Sequence, residues 1–285
     1  MALIKNKKRL ALKIVGGIVL CGLLLALWAF VIEPNRLTVN EVQLPLRNWP
    51  ASLDNLRVVA ISDLHVGSPF IDLEKVQKIV RTTNDLHPDV VVLLGDFVRG
   101  GMRGGHFIEP EPIAEQLKGL HARLGVYAVL GNHDWWYDGA RVTRALQSAG
   151  ITVLENDVAR VEQNGQSLWL LGVPDFWTRE QDITGALKKV TDDGPIIALT
   201  HNPDIFPDIP AKIVLTLAGH THGGQLMLGD SLGFGPLMYR YWSGLYRKPG
   251  PGGAALVVSN GVGNWFPLRT WAPAEIIDLT LRSPA

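Results

Sequence analysis

Cysteine is nearly absent from this chain. The single copy, Cys21, lies inside an apolar run, so the remainder can form neither a disulfide nor a cysteine metal site. Acidic side chains are missing before Glu33, whereas Lys5, Lys7, Lys8, Arg9 and Lys13 crowd the same stretch. The 19 residues from Ile14 to Ile32 carry no charge at all. Beyond the basic start, 22 basic side chains face 27 acidic ones, a balance of −5 with histidine neutral. A surface of that sign argues against broad nucleic-acid binding, so no nucleic acid is expected as a partner. No internal repeat and no low-complexity linker interrupts the chain, and nothing in it implies a protein partner.

The uncharged run has the length of a single transmembrane helix. Basic residues ahead of it predict a cytoplasmic N-terminus and an exported remainder. A cleaved signal peptide is the alternative, but its apolar region is usually shorter and ends in small residues. Here Trp28 and Phe30 occupy that end, and Trp28 suits an interfacial position. The expected division is a basic start and membrane anchor over 1–32, a connector over 33–54, and one domain over 55–285.

From Arg57 the pattern alternates strand and helix. Arg57–Ser62 and Asp89–Leu94 read as buried strands, and Gly125–Leu130 as a third. Helical spacing covers Leu73–Leu86 with Asp72 as N-cap, residues 109–123, and Asp138–Ala149. The second half is richer in strands: Ile151–Leu154, Ala159–Gln163, Ser167–Val173, Pro195–Thr200, Lys212–Leu217, Ala254–Ser259 and Glu275–Leu281. Asn164-Gly165 predicts a hairpin turn, Asp182–Val190 a helix, and Arg36–Leu44 an edge strand. The expected fold is α/β: a layered sandwich of two mixed β-sheets flanked by helices, preceded by one transmembrane helix.

Metal-ligand residue types recur directly after the apolar strands. Asp63-x-His65 follows the first, Gly95-Asp96 the second, and Gly131-Asn132-His133-Asp134 the third. His201 follows the strand ending at Thr200, and His220-x-His222 the one ending near Leu217. In an extended backbone, residues two apart point to one side, so both imidazoles of His220 and His222 can face one site. Any one of these residues could be a cap or a surface polar group. Five in succession form a polar cluster that needs a cation to be stable.

These five motifs, in this order and strand context, resemble the signature of the calcineurin-like metallophosphoesterases over roughly residues 55–281. Within that family, Gly219-His220-Thr221-His222-Gly223-Gly224-Gln225, Ser243-Gly244-Leu245-Tyr246-Arg247 and Ser259-Asn260-Gly261-Val262-Gly263 look closer to membrane-anchored bacterial enzymes. Relatives of that branch include UDP-diacylglucosamine hydrolases of lipid A synthesis and general phosphodiesterases. The resemblance implies two divalent metal ions, with Asp63, His65 and His222 on one, Asn132, His201 and His220 on the other, and Asp96 bridging. Ligands of this type suit Mn, Fe or Zn without choosing among them. A hydroxide between the ions would attack phosphorus in line. His133 would face the substrate, stabilising phosphate oxygens or protonating the leaving group. Asp134 would orient His133 and favour its protonated form, or else cap the helix that follows. The resemblance implies that the membrane is a bacterial inner membrane, with the catalytic domain on the outer side that the basic start predicts.

His87, His106 and His121 read as surface residues. Arg99 and Arg103 share a loop after Asp96 and could meet a substrate phosphate, or be solvated. Aromatic residues gather after the motifs: Trp135, Trp136, Phe176 and Trp177, then Leu226–Arg247, then Trp265, Phe266 and Trp271. They form either a second small core or an apolar rim for a lipid-linked substrate, with arginines such as Arg247 for a head-group phosphate. The bilayer and a phosphorylated, membrane-proximal substrate are the expected partners. A nucleotide phosphodiesterase or nuclease on the same site, and a silent membrane scaffold, are the competing functions.

Overall fold

The computed structural model describes residues 2–101, 104–229, 231–250 and 253–284. The chain opens with a helix, α1 (Ala2–Leu27), then a five-residue π-helical turn (Trp28–Ile32) and a short α2 (Glu33–Asn35). Residues Asn6–Asn35 form one helical span containing an 18-residue window of mean hydropathy 2.6, long and apolar enough to cross a membrane. Its leucines and valines point outward along α1, as the uncharged run predicts.

The remaining elements follow in order: β1 (Leu37–Pro45), β2 (Leu56–Ile61), α3 (Leu73–Asp85), β3 (Val90–Leu94), α4 (Pro110–Leu117), β4 (Val126–Val129) and α5 (Asn132–Ser148). Next come β5 (Thr152–Val153), β6 (Asp157–Gln163), β7 (Gln166–Gly172), α6 (Ile183–Leu187), β8 (Ile196–Leu199) and β9 (Ile213–Ala218). The chain finishes with β10 (Met227–Leu228), β11 (Leu232–Gly233), α7 (Phe234–Met238), β12 (Gly244–Arg247), β13 (Ala255–Val258) and β14 (Ala274–Arg282).

Two six-stranded sheets result, ordered β1-β14-β2-β3-β4-β5 and β12-β13-β9-β8-β7-β6. Both are mixed, as expected. β2, β3, β4 and β5 run parallel, as do β7, β8, β9 and β13, while β14 is antiparallel to β2. Strand alternation separates two cores. Val58, Ala60, Val90 and Val92 face the opposite sheet, whereas Val59, Ile61, Val91 and Leu93 pack under α3, α4 and α5. A third cluster covers the outer face of the second sheet. Each of these buried side chains contributes about 1.5–3 kcal/mol.

Some boundaries differ from the sequence reading. Within 33–54, β1 is the expected edge strand, and Leu44, Leu46, Trp49 and Leu53 are buried between the sheets. α4 stops at Leu117, short of the expected 123. The helix expected from Asp138 is present, and within α5 the non-helical Asp138 (φ −166°) separates it from a short helical segment that starts at Asn132. The Asp138 carboxylate restarts the helix by accepting the backbone N–H of Arg141 (2.9 Å).

Topology places the two ends of the molecule. Because β14 and β1 run opposite to β2, their first residues lie where β2 ends. Leu37 pairs with Ala274, and Ala60 with Ile277. The membrane-length helix therefore joins the domain at the strand ends that carry Asp63, Asp96, Asn132, His201 and His220.

Candidate metal centre

All seven expected ligands converge at this end. Asp63, His65, Asp96, Asn132, His201, His220 and His222 are each buried. The strands do not simply continue into them. Asp63, His65, Asp96, His220 and His222 all have positive φ, between 42° and 73°. The extended spacing assumed for His220 and His222 is therefore wrong. Both sit in a tight turn after β9, and their convergence comes from left-handed backbone. Such conformations cost on the order of 1 kcal/mol or more each and persist where surrounding structure enforces them. One enforcing feature is Gly131, where a Cβ would lie 2.2 Å from Oδ1 of Asp96. Any side chain there would push the carboxylate away.

Hydrogen bonds aim the ligand atoms of Asp63, Asp96, His201 and His222. Asp63 Oδ2 accepts from the Ser62 hydroxyl and from the N–H of His220 (3.0 Å), so Oδ1 is left facing the cluster. Asp96 Oδ1 accepts the N–H of His133 (2.9 Å), which turns Oδ2 toward Nε2 of His65 (3.4 Å) and Nε2 of His201 (3.2 Å). The His201 Nδ1–H donates to the Leu94 carbonyl (2.7 Å), freeing Nε2. The His222 Nδ1–H donates likewise to Gly263 (3.2 Å). These outer contacts fix tautomers in the manner of metal-bound imidazoles.

The inward atoms are spaced as ligands sharing an ion. Nε2 of His65 and Nε2 of His222 are 3.2 Å apart, and Nε2 of His222 lies 3.5 Å from Oδ1 of Asp63. Nδ1 of His220 and Nε2 of His201 are 3.1 Å apart. Atoms bound at about 2.1 Å to one ion lie roughly 3.0–3.4 Å from one another. Three groups have ligand atoms close enough to share an ion: Asp63–His65–His222, Asp96–His201–His220 and, between them, His65–Asp96–His133. Oδ1 of Asp63 and Oδ1 of Asn132 are buried without a hydrogen-bond partner. Buried unpaired oxygens are costly, and a cation would satisfy both.

Electrostatics gives the same sign. Burial holds His65 and His222 down at about 3, neutral and able to bind metal. Burial also works against charge on His201, but Asp96 and Asp63 outweigh it and pull that imidazole up to about 10. A cluster that would keep a proton on a wholly buried imidazole is short of positive charge. The donor set thus fits divalent ions.

His133 stands beside the cluster. Its ring meets His65 edge-on (centroids 4.9 Å) and Trp136 (5.1 Å), and it lines a cavity shared with Asp96, Asn132, His220 and His222. That cavity, about 550 Å³, is walled by Trp136, Trp177, Phe234, Met238, Tyr239 and Trp265. The expected aromatic rim therefore exists at the ligand cluster.

Other expected residues are placed differently. Asp134 does not reach the His133 ring. Its oxygens accept four backbone N–H groups, from Asp96 (2.8 Å), Phe97 (2.9 Å), Val98 (3.1 Å) and Gly131 (2.9 Å). It thus fixes the Asp96 loop, and it caps the short helical segment that runs from Asn132 to the kink at Asp138. Trp135 faces away from the cavity, packed on Gly139 beneath the Arg179 guanidinium (4.3 Å), because successive helical residues point about 100° apart. Its neighbour Trp136 lines the site. Arg247 lies at the far end of its sheet, paired with Ala255 and donating to the Pro45 carbonyl (2.9 Å). Arg99 borders a second recess on the other side of His133 and Trp136. Arg103 falls outside the described residues. His87, His106 and His121 are exposed, as read.

Two supporting residues have no counterpart in the sequence reading. Arg269 is fully buried and donates to the carbonyls of Asn260 (3.0 Å), Gly263 (2.6 Å) and Ala272 (2.6 Å) and to Oδ1 of Asn264 (2.8 Å). It thereby holds the carbonyl that orients His222. Asp175, also buried, accepts from the N–H groups of Trp177 (3.2 Å) and Thr178 (3.0 Å) and sets Trp177 against His220 (4.4 Å).

Residues 56–224 match the calcineurin-like phosphoesterase family. The chain is 34% identical over 273 residues to the "Transmembrane protein with metallophosphoesterase domain" of Danio rerio, covering 90% of this chain and 60% of the relative. Against the Bos taurus protein of the same name, identity is 29%, covering 86% and 57%. The metallophosphoesterase YkuE of Bacillus subtilis is 30% identical, covering 90% of this chain and 89% of its own length. The chain thus spans about 60% of the animal relatives' length and most of the bacterial one's. It carries a membrane-length apolar helix ahead of residues 56–224 and belongs to the calcineurin-like phosphoesterase family.

Proposed function

We propose that this enzyme uses two divalent ions to hydrolyse a phosphodiester or pyrophosphate carried by a lipid-linked, membrane-proximal substrate. The observation that carries this reading is the apolar cavity opening directly on Asp96, Asn132, His220 and His222. A soluble nucleotide would gain little from walls of Trp136, Trp177, Phe234 and Met238. An acyl chain or acylated sugar would bury apolar area there at about 25 cal/mol per Å².

When bound, the ions supply Lewis acidity, acidifying water and neutralising charge on phosphate oxygens. The chain does the rest. Asp63, His65 and His222 would hold one ion and Asn132, His201 and His220 the other, with Asp96 serving both. His133, beside His65 and open to the cavity, donates to a phosphate oxygen or passes a proton to the leaving group. Trp177 and Trp136 exclude water from the reacting face. The basic cluster in the first half of α1 orients the N-terminus to the cytoplasm and the catalytic domain across a bacterial inner membrane.

The test is a substrate comparison with the detergent-solubilised full chain and Mn. UDP-diacylglucosamine and other lipid-linked phosphoesters should be cleaved in preference to cyclic or linear nucleotides. Preference for soluble nucleotides would remove the lipid reading and leave a nucleotide phosphodiesterase.

A further inference from the structure

Three features of the site end remain unexplained by catalysis. The first is the junction with the apolar helix. In the π-helical turn, the Glu33 N–H bonds to the Trp28 carbonyl. Residue 34 is proline and has no N–H, so the Ala29 carbonyl has lost its partners within the helix. It accepts instead from the Arg269 N–H (3.1 Å). Asn264 donates to Pro34 (3.2 Å), Lys75 to Asn35 (2.6 Å), and Glu33 is 3% exposed. The helix end is thus built into the domain, and the span cannot swing freely on a linker.

The second feature is the path from that junction to the cavity. Trp271 packs edge-on against Trp28 (5.2 Å) and is itself half exposed. Its neighbour Thr270 pairs with the segment leading into β10, through the N–H of Met227 to its carbonyl (3.0 Å) and its own N–H to Gln225 (2.9 Å). The third feature is what that segment displays. Leu228, Leu232, Phe234, Leu237 and Met238 are 50–77% exposed, and Trp265 beside them is 56% exposed. A monomer in water rarely leaves so many large apolar side chains on one surface.

We infer that this apolar face of the β10–α7 segment, with Trp265 and Trp271, sits in the interfacial layer of the same bilayer that α1 crosses. The occupant follows from continuity. Trp28 lies in the last turn of the apolar run, which ends at Ile32, so its ring lies near the membrane boundary, and Trp271 touching it lies at the same level. The rigid junction then holds the adjoining patch against the lipid, and indole rings suit that depth. The cavity mouth, bordered by Phe234, Met238 and Trp265, opens toward acyl chains. Substrate would enter sideways from the lipid without passing through water. This last consequence rests on the lipid-linked substrate proposed above; the seating itself does not.

The experiment uses the full chain with Cys21→Ser and one new cysteine, at Leu237, at Leu228, or at Asn164 in the hairpin at the opposite end of the sheets. Each is labelled with an environment-sensitive fluorophore and reconstituted into phosphatidylcholine–phosphatidylglycerol vesicles containing lipids nitroxide-labelled near the glycerol end. Labels at 237 and 228 should be quenched at least threefold more than the label at 164. Equal quenching at all three positions overturns the inference, as does an unquenched label at 237, whether wet or covered by a second copy of the chain. Metal-dependent hydrolysis of a soluble aryl phosphodiester by the same samples reports the fold and the catalytic reading separately. Intact hydrolysis without quenching sinks the seating alone, whereas absent hydrolysis in the unlabelled parent sinks the catalytic proposal.

Discussion

The backbone N–H of His133 donates to Oδ1 of Asp96 across 2.9 Å. One bond joins the residue proposed to act on substrate to the residue proposed to be shared by both ions. It also leaves only Oδ2 of Asp96 for His65 and His201. Because the contact uses backbone, the His133 side chain can be removed without disturbing Asp96.

His133→Ala should therefore lower kcat on an aryl phosphodiester by about 10²–10⁴-fold while bound metal stays at the parent level. Steady-state kinetics and elemental analysis on one preparation check this. Metal lost together with activity would make His133 a ligand instead.

The walls of the cavity predict a split by substrate size. Trp136→Ala and Trp177→Ala should raise KM for a lipid-linked phosphoester about tenfold or more and change a small aryl diester much less. Arg247→Ala, at the far end of its sheet, should leave both substrates unaffected. Equal effects on both substrates would mean the rings shape the metal centre and do not contact acyl chains.

Arg269→Met should cost about 3 kcal/mol or more of stability, because it strands the carbonyls of Asn260, Gly263 and Ala272 in the interior. Denaturant unfolding of the solubilised chain measures it. A change within 0.5 kcal/mol would show that water replaces the guanidinium.

Glu155 gives a pH signature. Burial pushes it up to about 7, with only the Leu130 N–H on Oε1 (3.2 Å) and Arg179 opposing. A carboxyl raised above its unfolded value of 4.5 favours the folded state in its protonated form. That contribution is complete below about pH 4.5 and is lost as pH rises through about 7. Thermal unfolding should thus fall more between about pH 5 and pH 8 for the parent than for Glu155→Gln. Parallel curves would place the titration elsewhere.

The ligand set was legible because its chemistry demands rare residue types, and strand ends are where a layered α/β fold presents them. Asp63, His65, Asp96, Asn132, His201, His220 and His222 could be named from that alone, together with a family pattern. Their backbone was not legible. Left-handed φ at five of them is imposed by contacts such as Gly131 against Asp96, which are remote in sequence. Arg269 and Asp175 escaped for a similar reason: their partners are mostly backbone carbonyls and N–H groups, which any sequence supplies. Trp135 and Trp136 show a finer limit, since adjacent helical residues face different ways and only packing decides which one meets the cavity. Sequence position groups Arg247 with the aromatic stretch, whereas β12, which carries it, places it at the far end of its sheet.

The most direct test of a shared two-metal centre is metal content and hydrolysis measured together for the parent and Asp96→Asn. The parent should retain close to two divalent ions per chain, lose hydrolysis of an aryl phosphodiester on chelation, and regain it with Mn. Asp96→Asn keeps an oxygen for the His133 N–H but loses the negative charge. It should fold, bind fewer ions and lose activity at least a hundredfold. A parent that binds no divalent ion, or an Asp96→Asn variant with full metal and full activity, would contradict the account.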